Sequence, residues 1–184
     1  MGRRPTDAAD RLRAAAVELY TRDGFASTTV EAIAVRAGLT ERTFFRYYAD
    51  KREVLFGGSD ELGDVLARAT AERAADEPVR EAVLAGLACV VADLAPRRDA
   101  LVVREAIVSG RPELRERELA KLASWAAKLE AALLSRRSSP IEAAVVAASA
   151  VAALNVAAQR WLADGAVDLA DALDEAVAAL RLLA

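Results

Sequence analysis

The side chains in this chain best suited to chemistry are hydrogen-bond donors and cations, not nucleophiles or acid–base pairs. The sequence contains no His, so imidazole catalysis and His-ligated metal sites are excluded. Cys89 is the single Cys, so no intrachain disulfide can form, and within the apolar run 83–91 it reads as a small buried hydrophobe rather than a redox sensor. There is no Gly-rich phosphate loop, and the acids Asp60, Glu61 and Asp64 read as a solvated stretch of helix. Nothing here forms a catalytic constellation, so the chain is read as no enzyme, with no cofactor and no metal. The donors gather between residues 40 and 51. If that stretch is helical, Phe44 and Tyr48 (i, i+4) turn toward a core and leave Glu41, Arg42, Thr43, Arg46 and Tyr47 for solvent or a partner. Outward-facing donors of this kind suit phosphate oxygens and the edges of bases.

Two short helices must position them. Thr28 reads as an N-cap with Glu31 three residues on, a capping box. Val30, Ile33, Ala34 and Ala37 then share one apolar helical face. Gly38 supplies a left-handed helix end, Leu39 plugs the turn, and Thr40 caps the next helix. A helix, a Gly-containing turn and a second helix with exposed donors make a DNA-reading helix-turn-helix. Ahead of it, a helix from about Asp7 to Asp23, capped by Thr6 and stopped by Gly24, buries Leu12, Ala16, Leu19 and Tyr20, with Phe25 anchoring the turn after it. The core of these three helices is small (Leu12, Leu19, Tyr20, Phe25, Val30, Ile33, Leu39, Phe44 and Tyr48), so the unit must lean on later parts of the chain.

Thr28-Thr29, Ile33-Ala34, Ala37-Gly38-Leu39-Thr40, Thr43-Phe44-Phe45-Arg46-Tyr47-Tyr48 and Lys51 together resemble the N-terminal signature of the TetR family of transcriptional regulators, over roughly residues 8 to 56. The resemblance implies phosphate contacts from Thr29, Thr43, Tyr47 and Lys51, with the backbone N–H groups at the helix start adding to Thr29. It places Thr40, Glu41, Arg42 and Arg46 near base edges. Arg42 is then the specificity candidate, because Arg pairs bidentately with guanine, while Glu41 either accepts from cytosine or pairs with Arg42. Phe45, also on the DNA face, stands where the family often has Tyr, so one phosphate-binding hydroxyl is missing. Arg42 stands where a small residue is common, so the target sequence does not carry over from relatives.

The rest of the chain reads as an all-α body, about nine helices in total. Asp50 and Glu53 form another capping box that starts a helix at Lys51, running to about Ala75, with Gly57-Gly58 and Gly63 weakening its first half. Pro78 opens the next, to Leu94. Pro96 breaks it, and a further helix runs from Arg97 or Arg98 to Ser109. Pro112 begins one to Ser135, Ser139-Pro140-Ile141-Glu142 caps one to Asp164, and Asp168 caps the last. Two domains are expected: residues 1–50 as the DNA-binding helix-turn-helix and 51–184 as a ligand-binding and dimerisation body.

Charge agrees with that division. Residues 1–52 hold ten Lys/Arg against seven Asp/Glu, a net +3, so the remainder of the −3 chain carries −6. Arg3 and Arg4 form a basic arm for phosphate or a minor groove, or simply a basic tail, and with no apolar core behind them they do not read as a secretory signal. The helix from residue 140 is apolar nearly all round, with Ala143, Ala144, Ala147, Ala148, Ala152, Ala153, Ala157 and Ala158 allowing close approach. With Leu169, Leu173, Val177, Leu180 and Leu182 or Leu183 of the last helix, it suggests a homodimer through residues 140–184. The uncharged run Ala143–Gln159 is short for a bilayer, so no membrane span is expected and the location is read as cytoplasmic. The polar residues Asn155 and Gln159, with Arg104 and Trp125, are the candidates for contacting a small-molecule effector, although packing within the core or across a dimer would also account for them. The implied function is that of a sequence-specific regulator, a ligand-responsive repressor on a palindromic double-stranded DNA operator; the other reading is a helical adaptor acting through protein partners.

Overall fold

A computed structural model describes residues 5–180, and among them every regular element is helical. In chain order these are α1 Pro5–Arg22, α2 Val30–Arg36, α3 Glu41–Tyr47, a 3-10 turn Glu53–Phe56, α4 Ser59–Ala71, α5 Val79–Leu94, a 3-10 turn Ala95–Arg97, α6 Arg98–Val108, α7 Pro112–Ser135, α8 Pro140–Ala163 and α9 Leu169–Leu180. The basic arm of Arg3 and Arg4, and Leu182 and Leu183, lie outside the described residues.

Several helix starts come from local chemistry. The Ser139 hydroxyl accepts from the Glu142 N–H (3.2 Å) while the Glu142 carboxylate accepts from the Ser139 N–H (3.4 Å), a complete capping box with Pro140 at the first helical position. Asp168 Oδ1 accepts from the N–H groups of Ala170 (2.8 Å) and Asp171 (3.2 Å) and so starts α9. Three expectations need correction. α1 begins at Pro5, not Asp7, so Thr6 lies inside it. The first cap of the reading head is Thr29, not Thr28: the Thr29 hydroxyl accepts from the Ala32 N–H (3.1 Å), whereas Thr28 is buried and donates its hydroxyl to the Gly24 carbonyl (2.9 Å). The helix expected from Lys51 to Ala75 is broken. Asp50 caps only the 3-10 turn, and Gly58 then takes φ +87°, a left-handed conformation that ends one helical run before α4 begins.

The chain divides into two compact units. One comprises the residues up to Gly57 together with Val103–Glu118, and the other Gly58–Val102 with the residues from Leu119 on. In the first, Leu12, Ala16, Leu19, Tyr20, Phe25, Ile33, Phe44 and Tyr48 pack with Val54, Leu55 and Phe56. The support that the three small helices need comes from Ile107 and Val108 of α6 and Leu114 of α7, which complete this core. The second unit is built on Leu66, Leu87, Val90, Leu129, Leu133, Leu154, Trp161 and Leu173, with the alanines of α8 between them.

Cys89 is exposed, contrary to its expected burial, because α5 turns Ala82, Val83, Gly86, Leu87, Val90 and Leu94 inward and leaves Cys89 on the opposite side. α8, at 24 residues, exceeds the uncharged run within it and is long and apolar enough to cross a bilayer by length and composition. Yet 39% of its most apolar window is buried in this unit, as in the inner face of a core helix. α4 and α5 meet at Gly86, where an added Cβ would run into Thr70 Oγ1 and lie 2.9 Å from the Leu66 carbonyl oxygen. Thr70 is held in place, fully buried and donating to that carbonyl (2.9 Å). Gly86→Ala is therefore expected to destabilise the second unit by about 1–3 kcal/mol through overpacking, read as a lower urea midpoint at unchanged slope.

Candidate nucleic-acid interface

α2 and α3 form the helix pair, and the turn between them is fully specified by hydrogen bonds. The Gly38 N–H donates to the Val35 carbonyl (2.9 Å) and the Leu39 N–H to the Ala34 carbonyl (2.8 Å), the Schellman pattern, with Gly38 at φ +64° in the left-handed position. The Thr40 hydroxyl accepts from the Thr43 N–H (3.2 Å) and caps α3. Phe44 is fully buried. The ring of Phe45 stands edge-on to it, with centroids 5.5 Å apart, and Phe45 is 55% exposed.

α3 thus presents a continuous outer face. Thr40, Glu41, Arg42, Phe45 and Arg46 are exposed, and Thr43 and Tyr47 are half-buried beside them. The Arg46 guanidinium lies 4.9 Å from the Tyr47 ring centroid and donates to its hydroxyl (3.1 Å), which fixes both side chains against each other. Arg42 and Glu41 show no ion pair to one another or to other described residues, so both heads remain directed to solvent. Thr29, at the start of α2, is exposed beside the first N–H groups of that helix. Lys51 differs from the rest, because its ammonium donates to the carbonyls of Phe25 (2.8 Å), Thr28 (2.8 Å) and Ala26 (3.3 Å).

Other residues position this face although no motif marks them. Arg11 of α1 donates to the carbonyls of Ala37 and Gly38 (3.4 Å for the latter), placing a cation on the negative end of α2. Arg36 pairs with Glu18 of α1 (2.7 Å). The Tyr48 hydroxyl donates to the Ala9 carbonyl (3.2 Å) and the Tyr20 hydroxyl to the Lys51 carbonyl (2.5 Å). Burial, and behind it the nearby Asp50 carboxylate, pushes the Tyr20 phenol well above its ordinary value, so it remains a donor.

Asp50 is the junction between α3 and the 3-10 turn at Glu53–Phe56. Its Oδ1 accepts from the N–H groups of Arg52 (2.8 Å) and Glu53 (3.0 Å), and its Oδ2 pairs with Arg52 (2.9 Å) and with Arg117 of α7 (3.0 Å). Burial alone would raise this carboxyl; the Arg52 guanidinium and the two backbone N–H groups outweigh it and hold it below the usual carboxylate range. Arg117 also reaches Glu53 (3.3 Å), and Arg104 of α6 donates to the Leu55 carbonyl (3.0 Å), pairs with Glu118 (2.8 Å) and lies 4.7 Å from the Phe56 ring centroid. Arg104 therefore sits in an ion-pair cluster of the first unit.

The other candidate effector residues are dispersed. Trp125 is buried in the second unit with its indole N–H unpartnered, Asn155 is half-buried, and Gln159 is exposed. A cavity in that unit, about 570 Å³, lies elsewhere, between α5, α8 and α9. Its wall is mostly aliphatic (Val83, Leu84, Leu87, Val146, Val177 and Leu180), with Arg80, Glu142 and Ser149 the polar residues in it. None of the four candidates lines it. Among the described residues no group of three or more His, Cys, Asp or Glu is arranged to hold a metal ion.

Residues 12–56 match the family of bacterial regulatory proteins, tetR family. The helix-turn-helix unit is thus similar to that of tetR-family bacterial regulatory proteins. A relative from Mycobacterium tuberculosis, named as a candidate mycofactocin biosynthesis transcriptional regulator, MftR, is 27% identical over 183 residues, which cover 96% of this chain and 90% of that one. The fold agrees over nearly the whole length with SmeT in its triclosan complex (TM-score 0.66, 20% identity, 94% of this chain and 90% of that one). It agrees likewise with the Thermus thermophilus FadR repressor in complex with lauroyl-CoA (TM-score 0.60, 25% identity, 95% and 92%). The family is one of regulators rather than enzymes.

Because the Asp50 carboxyl is more acidic in the folded chain than in the unfolded one, its contribution is present in full above the ordinary carboxylate pKa of about 3.9 and is lost as pH falls through its lower folded value. Asp50→Asn is expected to lower stability at neutral pH and to flatten the fall in acid, measured as urea midpoints from pH 7 down to pH 2.

Proposed function

We propose that this chain is a ligand-responsive repressor that binds a palindromic operator as a homodimer in the cytoplasm. The observation that carries the DNA reading is the outer face of α3, where Arg42, Phe45 and Arg46 project from a helix capped and anchored on its other side. In this reading Arg42 and Arg46 meet base edges, with Thr40 and Glu41 beside them. Phe45 supplies apolar contact, and Thr29, Thr43 and Tyr47 hold phosphates.

The dimer reading rests on α8. Its buried side is complete, yet Ile141, Val145 and Val156 stand 80%, 59% and 58% exposed on its other side, an apolar stripe with Ala148 and Ala152 between them. A twofold mate would cover it and set two heads on two half-sites. The effector reading rests on the cavity between α5, α8 and α9, whose volume and aliphatic wall suit an apolar small molecule. The lauroyl-CoA complex of the Thermus relative is in keeping with that chemistry. Val145 belongs both to the cavity and to the exposed stripe, so an occupant would alter the α8 surface on which the mate packs. Repression or release is then set by which state the occupant prefers.

Fluorescence anisotropy against duplexes selected from a random library is the test. Sequence-selective binding whose log affinity falls linearly with log salt is expected, and its absence after ligand-free purification would sink the reading. Arg42→Ala is expected to cost about 1–3 kcal/mol of operator affinity and to relax preference at one base pair, read by repeating the selection. Val145→Asp is expected to give monomers in sedimentation velocity with the helical circular dichroism of the parent chain.

A further inference from the structure

Lys51 stands apart from the other DNA-binding candidates because its donors are already satisfied. An ammonium carries three protons. In the folded head three carbonyl oxygens converge on Lys51 Nζ: Phe25 at 2.8 Å, Thr28 at 2.8 Å and Ala26 at 3.3 Å. The ammonium also lies 4.6 Å from the centroid of the Phe25 ring. All three carbonyls belong to the loop that joins α1 to α2, and the next residue, Thr29, is the cap of α2. The backbone of Lys51 is held in turn, its carbonyl accepting from the Tyr20 hydroxyl (2.5 Å).

We propose that Lys51 is a positioning residue for DNA binding. Its ammonium draws three carbonyl dipoles of loop 25–28 to one point and thereby sets where α2 begins. The Thr29 hydroxyl and the first N–H groups of α2 are placed for phosphate by this clamp, while the charge of Lys51 itself neutralises no phosphate. Three carbonyls facing one another without a cation repel, so a neutral residue releases the loop. Arg is no substitute, because its planar fork spreads its donors and cannot converge them on a triad shaped for a compact ammonium. The proposal rests on the DNA-binding reading above, and the comparison of Lys with Arg separates positioning from charge.

The test uses the full chain as Lys51→Arg and Lys51→Met, with a duplex selected by the wild-type protein from a random library. Operator affinity is measured across a salt series, and amide hydrogen exchange is followed in residues 25–33 of the free protein. Lys51→Arg, which keeps the charge, is expected to lose affinity about tenfold and to exchange faster in that segment. Lys51→Met is expected to do the same while leaving the slope of log affinity against log salt at the wild-type value. Wild-type affinity in Lys51→Arg, together with a slope shallower by about 0.9 in Lys51→Met, would overturn the proposal in favour of a direct phosphate contact. Unchanged exchange in both variants would overturn it too. If Lys51→Met does not fold, Lys51→Arg alone decides between these results. Should the wild-type chain select no duplex, the DNA-binding reading fails, and the exchange comparison still tests the clamp.

Discussion

A reading helix is useful only if its angle to the rest of the head is fixed, and the head is too small for burial to fix it unaided. The matched segment runs only from residue 12 to residue 56, and α2 and α3 have seven residues each. Helices so short are unstable by themselves, and a core of this size is marginal. The chain answers with cations placed on backbone carbonyls. Arg11 holds the end of α2, Lys51 holds the loop before it, and Arg104 holds the Leu55 carbonyl beyond α3. Each bond is charge-assisted, partly shielded from water, and joins residues far apart in sequence, so each constrains the relative position of two elements.

The same requirement explains why the first unit borrows from α6 and α7. Ile107, Val108 and Leu114 extend the apolar core, and Arg104, Glu105, Arg115, Arg117 and Glu118 surround it with ion pairs to one another and to Asp50 and Glu53. Exposed pairs contribute little, because water competes and side-chain freedom is lost. These are different in degree: Arg104 and Glu118 are only 19% and 16% exposed, and they share partners. A partly buried network with shared partners is costly to break at any single member, since the remaining charge is left uncompensated. Such a cluster ties the residues on either side of Asp50 to the corner between α6 and α7, so a displacement of that corner would be felt at the end of α3.

The features legible in the sequence were those that local spacing encodes. The Gly38 turn, the Thr40, Ser139 and Asp168 caps, and the burial of Phe44 and Tyr48 all depend on residues within one or two turns of one another. Misreadings arose where two local solutions compete. Thr28 and Thr29 can each cap a helix, and the choice falls to the one whose neighbour is buried against Gly24. Asp50 does accept from the Glu53 N–H, half of the expected box, but the Gly57-Gly58 pair ends what it starts. The long-range hydrogen-bond partners of Arg11, Lys51, Arg104 and Arg117 lie from 14 to 67 positions away, and no periodicity signals them. The cavity, too, carries no local signal. Polar residues on apolar helices drew attention to Asn155 and Gln159, whereas the cavity is a gap among aliphatic side chains from three helices.

The second unit reflects a different constraint, the alanine content of α8. Alanine buries little area, so a helix rich in it gains packing only by close approach. α8 uses Ala143, Ala147, Ala150, Ala153 and Ala157 on its inner side, where α9 and α5 come near, with Leu154 and Trp161 supplying bulk. A single helix face of this kind would need only polar residues opposite it. Instead the opposite side carries Ile141, Val145 and Val156, whose exposure is unfavourable unless another surface covers them. The charged residues of α8 instead lie near its ends, with Glu142 in the capping box and Arg160 paired to Glu175 of α9. The middle of the helix is thus left free of charge on both sides. That distribution is in keeping with the proposed twofold contact, because a charge in the middle would be buried if a second copy packed there.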